Sequence, residues 1–305
     1  MRANLKGASQ GLLYTSIVKR LALAALPFLL ASSANAWDVT THKIIGAIAY
    51  KHLTPQAKTW VDKTLATMPE GYRDPMYAAA YPDFLKHGGP KDRPKVAISH
   101  KFDHWHYVDY PVRKGQTNPL PFDTAIEGNG DNVLYGIKES IQSAATGLAS
   151  TRGFYMGMLF HLVGDVHQPL HCAERNDDGG GNDMEIDRGS IKNLHALWDD
   201  GMTVRYKLRS TAAHSDDKVR KAAEAIEAAQ PLTERTMKVD AADLDPKHWA
   251  MESYTLAVDS AYEGIEAGER PSEVYEARWL AVSERRVALA GYRLAGLLNK
   301  LAPKK

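Results

Sequence analysis

Two His/Asp pairs share one spacing: His161 and Asp165 in FHLVGD, and His195 and Asp199 in NLHALWDD. On a helix, residues four apart lie on one face, so each pair directs an imidazole and a carboxylate the same way. That donor combination suits a divalent transition metal, zinc above all. The first pair falls within residues 153–170, GFYMGMLFHLVGDVHQPL, which contains no Lys or Arg and is apolar on nearly every side. A helix there is expected to be buried all round. A carboxylate in such a place loses its hydration and needs a partner, either the neighbouring imidazole in a tautomer-fixing hydrogen bond or a metal cation. For one pair alone the hydrogen-bonded reading is the stronger. Its repetition at 195 and 199 moves the balance toward metal.

Further donors surround these pairs. His171 follows in HQPLH, where Pro169 should end the helix and let a later side chain turn back toward the same cavity. His42 lies at the start of a helix that Thr40 or Thr41 is expected to cap. Asp83 follows a proline in YPDF and is read as projecting from a turn, and His106, in HWHYVDY, lies in an alternating aromatic and polar stretch read as extended. His104 would share a face with His106 in an extended strand, so the ligand there is one of the two. Trp37 follows a signal-peptide pattern: Arg2, Lys6, Lys19 and Arg20, an apolar run over 21–31, then Ala34-Asn35-Ala36. Cleavage would expose the α-amino group of Trp37, which can chelate a metal together with its carbonyl. Each of these residues alone is an ordinary cap, turn or core residue. Together they are five histidines, three aspartates and one free N-terminus.

Positioning such a set takes helices. The spacing predicts them over 55–68, 132–148, 152–168, 191–208, 216–230, 248–265 and 273–301, the last with a structural stripe of Val287, Gly291, Leu294, Leu298 and Leu301. Loops are marked by Gly88-Gly89-Pro90, by the Pro-rich 111–121 and by 176–182 with its three consecutive glycines, and 184–187 is a candidate strand. Donors spread from Trp37 to Asp199, with no repeat or linker between them, favour one mainly α domain over 37–305. Losing residues 1–36 leaves 269, enough for a sizeable core. The leader holds four of the 38 basic and none of the 37 acidic side chains, so the mature formal charge is −3. No global basic field therefore attracts nucleic acid, and affinity for phosphate must be local. The leader's apolar run is too short to span a bilayer, and nothing later replaces it, so an exported protein, secreted or periplasmic, is expected with no membrane partner. Cys172 is the only cysteine and forms no intrachain disulfide; beside His171 it reads as a ligand or, preferably, as a small buried hydrophobe.

The ordered motifs WDVTTH, YPDF, HYVD, FHLVGDVHQPLH, GGND and NLHALWD resemble the zinc-dependent single-strand-specific nuclease and 3′-nucleotidase family of fungi and plants, with bacterial members, the S-one/P-one type. The resemblance covers essentially the whole mature chain. It implies a helical bundle related to zinc-dependent phospholipase C that holds three Zn²⁺ at the base of a cleft. On that basis Asp83, His106, His161 and Asp165 hold the first zinc; Trp37, through its amino nitrogen and carbonyl, holds a second with His42 and the shared Asp165; His171, His195 and Asp199 hold the third, more open one. Three zincs against three aspartates leave a charge of about +3, an anion site in an acidic protein. The expected reaction is in-line attack on phosphorus by a hydroxide bridging the two Asp165-linked zincs, acting on single-stranded DNA and RNA and on 3′-nucleotides, with 5′-phosphate products. The resemblance further implies that Tyr107 stacks on a nucleobase, that Asp109 hydrogen-bonds it and that Asn182 lies beside the site, although a turn role for Asn182 is equally open. His167 is an extra histidine expected to support a ligand or sit on the rim. No stable protein partner is implied.

The alternatives are a zinc-dependent phospholipase C, less favoured because Asp199 stands where Glu is typical there, and an exported zinc-binding protein without catalysis. Neither HExxH nor an adjacent His-Asp pair of the HD-phosphohydrolase kind supports other metal hydrolases.

Overall fold

A computed structural model describes residues 37–89, 91, 93–112, 130–208 and 216–304. Most helices begin where a side chain satisfies the free N–H groups of a first turn. Asp38 caps α1 (Val39–Lys51), accepting from Thr41 N at 2.8 Å and Thr41 Oγ1 at 2.6 Å. The cap is therefore Asp38; Thr40 and Thr41 are already inside the helix, and Thr41 is a donor to the cap. Thr54 opens α2 (Pro55–Leu65) and Asp74 opens α3 (Pro75–His87), each followed by a proline whose missing N–H costs nothing at the first helical position. Asn132 opens α4 (Val133–Thr146), and α5 (Arg152–Asp165) follows. A small antiparallel hairpin, β1 (Glu185–Arg188) and β2 (Ile191–Asn193), pairs Glu185 with Asn193 and Arg188 with Ile191. The remaining helices are α6 (Leu194–Asp199), α7 (Gly201–Arg205), α8 (Asp216–Ala229), α9 (Arg235–Ala242), α10 (Pro246–Leu256) and α11 (Glu273–Leu301).

The chain is mainly α, as the sequence predicts, and the candidate strand is β1. Several boundaries move for local reasons. The segment 191–208 is not one helix: its first three residues are β2, Asn193 caps α6 by accepting from Ala196 N at 2.7 Å, and the helix breaks again at Asp200. The helix expected to reach residue 168 stops at Asp165, because Pro169 has no N–H for the Asp165 carbonyl; Gln168 N takes that oxygen instead at 2.9 Å. The segment 248–265 starts earlier, behind the Asp245 cap, and ends as a wide turn of π type over Ala257–Ala261. Asp83 is not in a turn but inside α3, which carries Pro82 within it. His106 is not in an extended strand; it ends the short 3-10 turn Asp103–His106. The leader over 1–36, residues 113–121 of the Pro-rich loop and His214 lie outside the described residues.

Helix α5 is the centre of the packing. It contacts α1, α2, α3, α4 and α11, and every side chain from Met156 to Asp165 is buried. That burial is what its all-round apolar sequence requires. The α11 stripe of Val287, Gly291, Leu294 and Leu298 is buried as expected, with Leu301 partly so. Trp37, Trp198, Trp249 and Trp279 are fully buried in the same core. Among the described residues no helix is long and apolar enough to cross a membrane.

Candidate metal centre

Six separate segments deliver the donors to one buried region. Trp37 and His42 come from the start of α1, Asp83 from α3, His106 from the 3-10 turn, His161 and Asp165 from α5, His171 from a second 3-10 turn over Pro169–Cys172, and His195 and Asp199 from α6. All nine residues are at most 3% exposed. The eight polar side chains fall into groups that fit a metal ion: His42, Asp83 and His161; His106, His161 and Asp165; and His171, His195 and Asp199. Asp165 divides its two oxygens. Oδ1 lies 3.2 Å from His42 Nε2, while Oδ2 lies 2.9 Å from His106 Nδ1 and 3.2 Å from His161 Nε2. His161 Nε2 is 3.8 Å from Asp83 Oδ1.

Backbone carbonyls decide which ring nitrogens face inward. His161 Nδ1 donates to Ala79 O at 2.8 Å, His171 Nδ1 to His106 O at 2.7 Å and His195 Nδ1 to Gly180 O at 2.8 Å. A carbonyl only accepts, so each Nδ1 carries its proton there and Nε2 is the nitrogen left facing the group. The Nε2 atoms of His171 and His195 stand 3.1 Å apart. Burial pushes His171 down to about 3, against the charge of Asp165 and with that of His195. Burial also opposes charge on His161, but Asp165 and Asp83 outweigh it and raise that ring.

The two carboxylates of the paired motifs differ. Burial works against ionised Asp165, yet His161, His106 and His42 hold it well below the usual range; burial raises Asp199 well above it, against a hydrogen bond from Gln168. Among the described residues, both nitrogens of His42, Asp83 Oδ1 and Asp165 Oδ1 are buried without a hydrogen bond of good geometry, the 3.2 Å approach of His42 Nε2 to Asp165 Oδ1 being an ion-pair distance only. Unpartnered buried polar atoms and an all nitrogen and oxygen donor set fit a divalent cation better than they fit a self-sufficient polar core.

Residues that no spacing rule singles out hold these donors. Gln168 Nε2 donates to Asp199 Oδ1 at 2.7 Å, and its Oε1 accepts from Leu170 N at 2.6 Å, so it aims the Asp199 carboxylate. Pro82 interrupts the hydrogen-bond ladder of α3 near the Ala79 carbonyl that receives His161. Gly180 has φ +64°, and a Cβ there would lie 2.5 Å from Leu170 O, so glycine alone can offer its carbonyl to His195. The indole N–H of Trp37 donates to Gly164 O at 3.0 Å, and Asp38 N donates to Asp199 O at 3.3 Å, which fixes the start of α1 between the two halves of the centre. At Gly164 a Cβ would lie 2.9 Å from His42 Nδ1 and 3.2 Å from Ile45 Cδ1. Gly164→Ala is therefore expected to displace the His42 ring, lowering stability by about 1–3 kcal/mol and losing metal from that group; thermal melts and metal content check it.

After His106 the chain runs extended from Tyr107, and Val108 N donates to His171 O at 2.8 Å. Val108 and Tyr110 point inward, so Tyr107 and Asp109, both only partly buried, share the opposite side. Burial raises the Tyr107 phenol to about 12, reinforced by Asp109, and raises Asp109 to about 7, reinforced by Glu174 and Asp178. The 3-10 turn sends His104 away from the donors; it is exposed and its Nδ1 meets Tyr107 Oη at 2.8 Å, so His106 is the donor of the two. Asn182 Nδ2 donates to Gly179 O at 2.7 Å within its own glycine turn. His167 is not on a rim: it is fully buried, bonded to Val163 O and Arg293. Cys172 is buried, 3.6 Å from Val166 O. A cavity of about 480 Å³ opens beside Asp83, lined by Asp38, Phe84, His87 and Gly88 among others.

Residues 37–303 match the S1/P1 Nuclease family. Endonuclease 3 of Arabidopsis thaliana is 28% identical over 289 residues, covering 89% of this chain and 91% of that protein. Endonuclease 2 of the same plant is 27% identical over 291 residues, with 89% and 92% covered. Nuclease S1 of Aspergillus oryzae is 22% identical over 297 residues, with 92% and 97% covered. Because the match spans every segment that delivers a donor, the chain belongs to the S1/P1 nuclease family and is a phosphodiester hydrolase.

Proposed function

We propose that this nuclease is exported, loses residues 1–36, and as residues 37–305 acts as a zinc-dependent endonuclease on single-stranded DNA and RNA, leaving 5′-phosphates, and as a 3′-nucleotidase. The observation that carries the reading is the set of three buried His/Asp groups, in which the Nε2 atoms of His171 and His195 stand 3.1 Å apart and Asp165 reaches His42 on one side and His106 and His161 on the other. Three zincs are assigned: one to Asp83, His106, His161 and Asp165, one to the Trp37 terminus, His42 and Asp165, and one to His171, His195 and Asp199. Zinc, when bound, supplies Lewis acidity toward phosphate oxygens and brings a coordinated water near pKa 7. The chain's own part is positional. Asp165 sets the spacing of the first two groups through its two oxygens, and Gln168 keeps Asp199 aimed. Export is supported by the leader pattern and by a family match that starts at Trp37.

Tyr107 offers a ring to an unpaired base, and Asp109, on the same side of the extended segment, offers a carboxyl to its edge. A duplex base is already stacked and gains less, which favours single strands. Stacking of roughly 1–3 kcal/mol per base sets the expectation that Tyr107→Ala raises KM about 10- to 100-fold with little change in kcat and no change in zinc content. An equal fall in kcat and metal would instead assign Tyr107 to the metal centre. The deciding assay uses mature protein that begins at Trp37, with its zinc counted, against single- and double-stranded DNA, RNA, a 3′-nucleotide and phosphatidylcholine. Preferential cleavage of the lipid, or tightly bound zinc without any turnover, would reject the nuclease reading in favour of a phospholipase or a zinc-binding protein.

A further inference from the structure

We propose that Arg286 and Arg293 of α11, tied together through Glu252 of α10, are positioning residues that set the zinc affinity of the His171/His195/Asp199 group by clamping the turn between Asp165 and His171. The inference rests on reading those three residues as ligands. Helix α5 ends at Asp165, and its last carbonyls are buried, where each must find a donor. Local groups serve four of them. Leu162 O accepts from Val166 N at 3.0 Å, Val163 O from His167 Nδ1 at 2.7 Å, Gly164 O from His167 N at 2.9 Å, and Asp165 O from Gln168 N at 2.9 Å. The next two are served from other helices: Val166 O accepts from Ser253 Oγ at 2.6 Å, and His167 O accepts from Arg286 Nε at 3.0 Å.

The two guanidiniums, seven residues apart on one face of α11, are locked to the same point. Arg286 also donates to Trp249 O at 3.2 Å, to Ser253 Oγ at 2.8 Å and to Glu252 at 2.6 Å. Arg293 donates to His167 Nε2 at 3.0 Å, to Asp240 O at 3.0 Å, and to both oxygens of Glu252 at 2.6 and 2.7 Å. His167 is thus held at its carbonyl by one arginine and at its ring by the other. Arg293 is fully buried and Arg286 2% exposed, with one carboxylate between them. Burying two such charges is costly where packing alone is wanted, since apolar side chains of similar size would fill the space more cheaply. What the planar fork adds is direction: it fixes the angle and the position of what it holds.

The held turn leads straight into the open group. Gln168 follows His167 and aims Asp199, and His171 stands three residues further, anchored to His106 O. Asp165 is less dependent on the clamp, because it lies within α5 and contacts His42, His106 and His161. Loosening the clamp therefore weakens the His171 group first.

The test compares Arg293→Lys with Arg285→Lys in the full mature protein. Lysine keeps a charge but has no fork, and Arg285, partly exposed, pairs with the Asp240 side chain rather than with His167. Zinc dissociation constants are measured by chelator competition, and the open site is identified as the zinc lost in His195→Ala. Arg293→Lys is expected to weaken that zinc about tenfold, the low end of what disturbing the surroundings of metal ligands costs, with the other zincs held within about twofold and kcat restored by excess zinc. Arg285→Lys is expected to leave all affinities unchanged. A lowered Tm of Arg293→Lys with unchanged zinc affinity, or equal weakening at every site, overturns the clamp. If Arg293→Lys fails to fold, Glu252→Gln, whose side chain is 36% exposed, is read in the same way. Wild-type protein that binds fewer than two zincs would sink the ligand reading itself, a result distinct from failure of the clamp alone.

Discussion

Asp165→Asn is expected to empty both metal groups that share this carboxylate and to lower phosphodiester hydrolysis by about a thousandfold, while the protein still folds. The carboxylate has an oxygen toward His42 on one side and toward His106 and His161 on the other, so a single substitution acts in two places. Asparagine keeps the shape but removes the charge, and its NH₂ end turns a donor toward lone pairs that a cation would otherwise take. The amide can hydrogen-bond neutral imidazoles, which is why the fold should survive. Loss of metal stabilisation of several kcal/mol corresponds to roughly three powers of ten in rate. Zinc content and kcat/KM measured on the same preparation decide it. A variant with its full complement of zinc and wild-type rate would show that Asp165 bridges nothing.

A single residue added ahead of Trp37 is expected to be nearly as damaging, by a different route. The added residue turns the terminal amine into a peptide nitrogen, whose lone pair is delocalised into the carbonyl and no longer binds a cation. The segment has no room to adjust. Trp37 is fully buried with its indole on Gly164 O, Asp38 N is bonded to Asp199 O, and the Asp38 side chain caps α1 and accepts from Thr203. We expect loss of the zinc assigned to His42 and a fall in activity of about a hundredfold or more, since one ligand of a shared site is removed. Mature and extended proteins prepared in parallel and compared for zinc count and rate test this. Full activity of the extended form would show that the terminus is not a ligand.

The residue types and their spacing carried most of the centre. His161 with Asp165 and His195 with Asp199 could be paired from sequence because helical periodicity is local. The apolar run around the first pair announced a buried helix for the same reason, and α5 is buried along its length. Local rules failed where a neighbour outside the window decides. Sequence alone makes Asp83 a turn residue because Pro82 precedes it, yet α3 packs against both α1 and α5 and accommodates the proline. His104 and His106 were indistinguishable by alternation; a 3-10 turn separates them, sending one to the donors and the other to Tyr107.

By itself the sequence determined the chemistry of the donors, the helical class and the family, since these follow from side-chain type, 3.6-residue periodicity and motif order. Only the tertiary structure decided which imidazole nitrogens face one another, which oxygen of Asp165 lies toward which histidines, and that Gln168 holds Asp199, the Gly180 carbonyl holds His195 and the two buried arginines hold His167. Those outcomes depend on carbonyls and guanidiniums far along the chain from the groups they orient: Arg286 lies 119 residues from the carbonyl it holds. A directional bond between distant segments leaves no periodicity in the sequence, because its geometry exists only once the helices have packed.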